Sequence, residues 1–436
     1  MVTGVPGDRM PGAAVAARAL PGGARAVARC DALGMAPYSD SADGLTRTYL
    51  SPAHAAALEA LAGWMAEAGM AVRRDAAGNL VGRYEGLDPH APALLIGSHI
   101  DSVRDAGRYD GPLGVMLGVE CVAALHAAGR RMAFPIEVIA FGDEEGSRFP
   151  VAMLTSRAVA GTLSEAALAE ALPLGDAQGV SLAQALATAG LTAAEYRTAA
   201  RAPGSVFAYL EAHIEQGPVL ESAGLAVGTV TGIAAQLRYR LTLTGAAGHA
   251  GTTAMPLRRD ALAGAAEMVL AAERIAREDA SDLVATVGRL EVRPNASNVI
   301  PGGVEFSLDV RAGSAARRDR GAGAILAACA AIAQARGLDL TVEPTNDLPA
   351  APCDPELMAR MDAACARAGQ PVRRLVSGAG HDAMVMAALC PMAMLFVRCR
   401  GGVSHNPAEH VEPADAEIAL AVLRNFIEEL GVSRDV

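Results

Sequence analysis

Three times in the first half of the chain, an apolar run of strand length stops at a cluster of histidines or acids. Ala93 to Ile96 leads into Gly97-Ser98-His99-Ile100-Asp101. Pro135 to Phe141 leads into Gly142-Asp143-Glu144-Glu145. Val206 to Leu210 leads into Glu211-Ala212-His213. A short continuous apolar run bounded by turn residues reads as a strand buried on both faces. Helical spacing fills the stretches between. Ser51 is a suitable N-cap, with Pro52 at the first helical position, for a helix to about Ala68 that ends at Gly69. Leu113 to Ala128 ends in the same way at Gly129. Strands alternating with helices specify an α/β domain, and its sites form just beyond the carboxyl ends of the strands. The polar clusters stand at those ends.

The pattern changes near Gly228. Arg238 to Thr244 alternates as a strand with one buried face should, and Leu257 to Glu278 is amphipathic. Leu283 to Val292 and Gly303 to Val310 read as strands around a Pro-Asn-rich connection. Ser314 to Arg336 reads as a helix and Leu338 to Val342 as a strand. The order β-α-β-β-α-β predicts a ferredoxin-like α+β unit. A helix from Pro355 to Ala368 then restores the α/β character. Strands at Val372 to Val376 and Met392 to Val397 lead into glycine-rich stretches holding His381 and His405, and a last helix spans Ala414 to Leu430. At 436 residues the chain exceeds one ordinary core. The expected organisation is a catalytic domain in two parts, 1–227 (with 1–22 as a loose leader) and 346–436, interrupted by a second domain at 228–345.

The formal net charge of -11 argues against a nucleic-acid surface, which needs a basic footprint. It leaves an anionic substrate open, because bound metal ions reverse the local sign. The seven cysteines are scattered without a Cys-x-x-Cys pair, so reduced thiols and a cytoplasmic location are expected. Residues 1–29 lack the apolar core of a signal peptide, and no apolar run is long enough for a membrane span.

The polar clusters supply what a two-metal hydrolase needs. A carboxylate must bridge two cations about 3.5–4 Å apart, each ion needs further ligands, and a separate base must take a proton from the attacking water. Asp110, in Tyr109-Asp110-Gly111-Pro112, can bridge. His99 and His213 can complete one ion, Glu145 and His405 the other, and Glu144 remains as base. Asp101, two residues from His99, can hold the second nitrogen of that imidazole. A solvated acidic turn at Glu144-Glu145 and a loop cap at Asp101 are the plain structural alternatives.

Taken in order, eight motifs resemble those of the metal-dependent aminoacylase and carboxypeptidase family, within it the amidase, hydantoinase and carbamoylase type. They begin at His99-Ile100-Asp101-Ser102-Val103, Tyr109-Asp110-Gly111, Glu144-Glu145-Gly146-Ser147-Arg148-Phe149-Pro150, His213-Ile214-Glu215-Gln216-Gly217 and Gly248-His249-Ala250-Gly251. They continue at Asn298-Val299-Ile300-Pro301-Gly302, Gly378-Ala379-Gly380-His381-Asp382 and Ser404-His405-Asn406-Pro407. Ala254 stands where relatives often carry proline. The resemblance implies a zinc-exopeptidase-like catalytic domain with a ferredoxin-like lid that also dimerises. It implies two divalent ions per subunit (Zn, Mn, Co or Ni) on the five ligands above, with Glu144 as general base. It implies that His249 stabilises the oxyanion from the partner subunit. It implies that Asn298 and Arg311, also acting across the interface, hold a substrate carboxylate near Gln216. His381 is expected in the pocket lining without a catalytic step. The implied reaction is hydrolysis of a ureido carbon–nitrogen bond beside a carboxylate, with ammonia and carbon dioxide released. Allantoate is the favoured substrate, followed by N-carbamoyl-L-amino acids and N-carbamoyl-β-alanine. A peptidase and a non-catalytic dimeric binding protein of the same fold are the competing readings.

Overall fold

The computed structural model describes residues 21–41 and 44–432, so all but the last two residues of the expected leader lie outside it. The chain forms two compact units. The first comprises Met1–Val227, Ala363–Pro371 and Val397–Val436, and the second Gly228–Asp362 and Val372–Phe396.

In the first unit, the helices Gly23–Leu33 (α1) and Pro52–Glu67 (α2) precede a hairpin of Ala71–Arg74 (β1) and Leu80–Tyr84 (β2). Ala93–His99 (β3), Pro112–Ala127 (α3), Ile136–Phe141 (β4) and Val206–Ile214 (β5) follow. Ser51 caps α2 by accepting from His54 N, and Gly78 turns the hairpin at a positive φ of 85°. The strands lie in the order β1-β2-β4-β3-β5. β3 pairs in parallel with β4 and with β5, and every residue of β3 and β4 is buried. Three parallel strands therefore deliver His99, the Asp143 to Glu145 turn and His213 at one end of the sheet.

β5 runs past its apolar stretch, so His213 lies inside the strand and not beyond it. Glu211 does not end the strand because its buried carboxylate accepts from Ser98 Oγ at 2.9 Å and from Tyr209 Oη at 3.1 Å. α3 packs on this sheet at close range. A methyl group on Gly114 would overlap the Ala212 carbonyl oxygen of β5. α1 is tied to α3 by a buried carboxylate: Glu120 accepts from Arg25 Nε and Arg29 Nη1, both at 2.8 Å.

The second unit holds Ala235–Thr244 (β6), Ala261–Glu278 (α4), Leu290–Arg293 (β7), Gly303–Ala312 (β8), Ala315–Arg336 (α5) and Asp339–Leu348 (β9). The sheet order β7-β8-β6-β9 is antiparallel throughout. β8 alternates cleanly. Val304, Phe306, Leu308, Val310 and Ala312 are buried in the core with residues of α4 and α5, while Glu305, Ser307, Asp309 and Arg311 take the other face. α4 starts at Ala261 and not at Leu257. Asp260 caps it by accepting from Leu262 N and Ala263 N, and Met255–Leu257 form a separate 3-10 turn. The unit extends beyond residue 345 because Val227–Ile233 pairs in parallel with Arg374–Ser377 and antiparallel with Ala351–Pro352. Among the described residues, no helix is long and apolar enough to cross a membrane, and all seven cysteines are free and buried.

Candidate metal centre

In the first unit, three imidazoles turn the same nitrogen toward one carboxylate. His99 Nδ1 lies 3.0 Å from the Asp101 carbonyl oxygen, and His213 Nδ1 lies 2.9 Å from the Ile214 carbonyl oxygen. A carbonyl only accepts, so both Nδ1 atoms donate, which leaves Nε2 as the nitrogen free to bind a metal ion in the neutral ring. These Nε2 atoms face each other at 3.5 Å, and His213 Nε2 stands 3.1 Å from Asp110 Oδ1. His99 Nε2 is 3.6 Å from the same oxygen. His405 Nε2 is 3.2 Å from Asp110 Oδ2 and 3.6 Å from Glu145 Oε1. Ligand atoms of His99, Asp110 and His213 lie within 4.8 Å of one another, as do those of Asp110, Glu145 and His405 and those of His99, Glu144 and Glu145.

Nitrogen and carboxylate oxygen atoms converging at these distances are stable only with protons or a cation among them. The titration behaviour carries the same sign. Burial opposes a proton on His99, yet the hydrogen bonds to Asp101 and Asp110 outweigh it and hold this imidazole well above the usual histidine range. Burial likewise opposes a charged Asp110, but the imidazoles of His213, His405 and His99 hold it well below the usual carboxylate range. Burial, with the Asp110 and Asp101 carboxylates nearby, pushes Glu145 up to about 6. The pocket attracts positive charge, and its mixed imidazole and carboxylate donors suit a divalent first-row metal.

The surroundings set these groups in place. Asp101 was expected to hold His99 through its carboxylate. The closer contact is its carbonyl, while the carboxylate lies 3.6 Å from His99 Nδ1. That carboxylate instead accepts the backbone N–H groups of Glu144 at 3.0 Å and Glu145 at 3.2 Å, one on each oxygen. One buried carboxylate thus holds the turn that carries both adjacent acids. Arg47 backs the same segment. Fully buried, it donates through Nε to the Ile100 carbonyl at 2.6 Å, and its backbone N–H donates to Ser102 Oγ at 2.9 Å. Gln216, expected near the substrate, reaches the Asp110 carboxylate. Its Nε2 donates to Asp110 Oδ2 at 2.9 Å, beside Ser404 Oγ, which donates to that oxygen at 2.8 Å. Gln216 and His405 both sit at positive φ, 57° and 54°, a strained choice for residues with a Cβ that is common where function fixes the backbone.

The remaining expected site residues belong to the second unit. His249 and Asn298 are exposed neighbours, with His249 paired to Val299 and the Asn298 carbonyl accepting from Ala250 N at 3.0 Å. Arg311 forks onto Asp309 with Nε and Nη2, both at 2.9 Å, and its Nη1 donates to the Gly378 carbonyl. Of its five N–H groups, these bonds leave two for another acceptor. His381 is buried, with Nε2 2.7 Å from Ser377 Oγ.

Sequence reading missed Glu409, Ser404, Arg47 and Glu211. Glu409 lies four positions after His405, and its Oε1 accepts from Tyr109 N at 2.8 Å and Asp110 N at 3.1 Å. Burial and the Asp110 carboxylate push Glu409 up to about 7. Its only signal in the sequence was its place after a His-Asn-Pro turn.

Residues 95–429 match the family described as Peptidase family M20/M25/M40. The chain is 46% identical over 388 residues to an N-carbamoyl-L-amino acid amidohydrolase of Geobacillus stearothermophilus, covering 89% of this chain and 94% of that protein. It is 40% identical over 437 residues to an allantoate deiminase of Arabidopsis thaliana, covering 92% and 81% respectively. The crystal structure of an amidase of the hydantoinase/carbamoylase family from Burkholderia multivorans superposes with a TM-score of 0.86 at 35% identity, covering 94% of this chain and 98% of that one.

Proposed function

Because this chain belongs to peptidase family M20/M25/M40, a hydrolase acting on carbon–nitrogen bonds as its amidohydrolase relatives are, we propose that it cleaves the ureido carbon–nitrogen bond of a small carboxylate. The observation that carries the reading is the convergence of His99, His213 and His405 on Asp110, with Glu144 and Glu145 at the same pocket. His99 and His213 would hold one divalent ion, Glu145 and His405 a second, with Asp110 between them. Two such ions supply Lewis acidity and a water of lowered pKa.

The protein's own groups then carry the proton. Glu144 takes it from the attacking water as the ureido carbon becomes tetrahedral. The same carboxyl returns it to the leaving nitrogen, and the amine departs. The carbamate released breaks down to ammonia and carbon dioxide. His249 donates to the developing oxyanion from the partner subunit of a homodimer, with the second unit acting as lid and dimerisation domain. Asn298 and the two remaining N–H groups of Arg311 receive the substrate carboxylate. Gln216 both steadies Asp110 and borders the substrate, and His381 supports the pocket wall through Ser377.

Resemblance around Asp101 to Glu120 and Glu144 to Pro150 favours allantoate as substrate. The second reading is an N-carbamoyl-L-amino acid, favoured by the 46% identity to the Geobacillus enzyme. Ammonia release from allantoate, N-carbamoyl-L-amino acids, N-carbamoyl-β-alanine and dipeptides separates these. Turnover of ureido substrates alone is expected. Cleavage of dipeptides with the ureido compounds untouched overturns the proposal.

A further inference from the structure

We propose that Glu409 is a positioning residue that fixes the Asp110 turn to the His405 loop, so that the two are presented to the metal ions as one rigid piece. The inference rests on the metal-centre reading above and concerns a residue with no place in its ligand set.

Three observations carry it. First, one buried oxygen, Glu409 Oε1, accepts two successive backbone N–H groups, those of Tyr109 and Asp110 itself. Removing it would orphan both donors in a buried place, which a surface cap would not do. Second, the chain reserves room for this carboxyl. A methyl group on Gly107 would overlap it, and Gly107 is not at a positive φ, so space and not backbone conformation is what glycine provides there. Third, the 404–409 loop holds Asp110 at both ends. Ser404 Oγ donates to its side chain at 2.8 Å while Glu409 grips its amide. Asp101 treats the Glu144-Glu145 turn in the same way, with one carboxylate on two successive amides. Each amide pair includes the backbone N–H of an acid at the centre, and neither carboxylate is itself among the proposed ligands.

A group that holds a ligand's backbone acts on metal affinity and on the relation between the two ions. The test uses full-length protein stripped of metal and titrated with Mn2+, with free and bound metal followed by electron paramagnetic resonance. Glu409→Ala is expected to bind Mn2+ about 10–100-fold more weakly and to lose the spin-coupled signal of a bridged pair. Glu409→Gln keeps an acceptor oxygen and is expected to restore both. Gly107→Ala displaces the carboxyl without removing it and is expected to follow Glu409→Ala. Circular dichroism of the metal-free proteins checks folding, and Gly107→Ala carries the test if Glu409→Ala does not fold. Wild-type affinity and coupling in the alanine variants, or failure of Glu409→Gln to rescue, overturns the inference while the metal centre stands. Wild-type protein that takes up no Mn2+ overturns the metal-centre reading, and this inference with it.

Discussion

Glu144 and Glu145 are neighbours in sequence with different surroundings, and the proposed division of labour between them is testable at the level of single atoms. Glu144→Gln keeps the shape and the backbone grip of Asp101. It is therefore expected to retain metal and to lower kcat by about 10²–10⁴-fold, the contribution of a positioned proton carrier. Metal content with kcat measured side by side checks this, and undiminished turnover removes Glu144 from its role. A second residue sets a pH dependence. His54 is fully buried, and neither ring nitrogen has a hydrogen-bond partner among the described residues. Burial, with Arg47, Arg74 and Arg148 nearby, lowers it to about 3. The unfolded chain takes up a proton below pH 6.5 while the folded one does not, so stability is full above 6.5 and falls as pH drops toward 3. From pH 7 to 5 the loss is about 2 kcal/mol, and His54→Phe, measured by denaturation of metal-free protein, is expected to lack it. The convergence of side chains was legible where rare ones stand at strand ends or in the turn before a helix, as with His99, Asp110, Glu145 and His213. Glu409, Arg47 and the amide-binding role of Asp101 were not, because their partners are backbone groups, which every residue has.

Element boundaries followed the sequence where a cap or a glycine marks them, as at Ser51, Gly69 and Gly129. They strayed where tertiary partners overrule local pattern. β5 continues through Glu211 and His213 because the sheet supplies partners for polar side chains, and no window of hydrophobicity reports that. α4 begins late because Asp260 is the better cap. The approach of α3 to β5 is a matter of backbone contact that only Gly114 permits. Gly114→Ala is expected to cost about 1–3 kcal/mol, the usual penalty for overfilling a packed region. Urea denaturation with metal bound and removed measures it. A neutral result means that the helix shifts on the sheet at little cost.

At the scale of the molecule, the sequence marked where the α/β pattern breaks, near Gly228. It did not mark where the second compact unit ends, because the partners of Val227–Ile233 come from residues more than a hundred positions later. The proposed exchange of His249 between subunits makes a whole-molecule prediction. Glu144→Gln and His249→Ala are each expected to be nearly inactive. Mixed and allowed to exchange subunits, they form hybrids with one complete site, and roughly a quarter of wild-type activity is expected to return. Activity that stays at the level of the separate variants would place His249 in its own subunit's site or outside catalysis. One feature of the centre also governs when it can form at all. Tyr109 and Asp110 are bound to Glu409 and His405 across some three hundred residues. A chain leaving the ribosome shows its first ligands long before its last ones are made. On the proposed ligand set, charging with metal is therefore an event of the finished polypeptide.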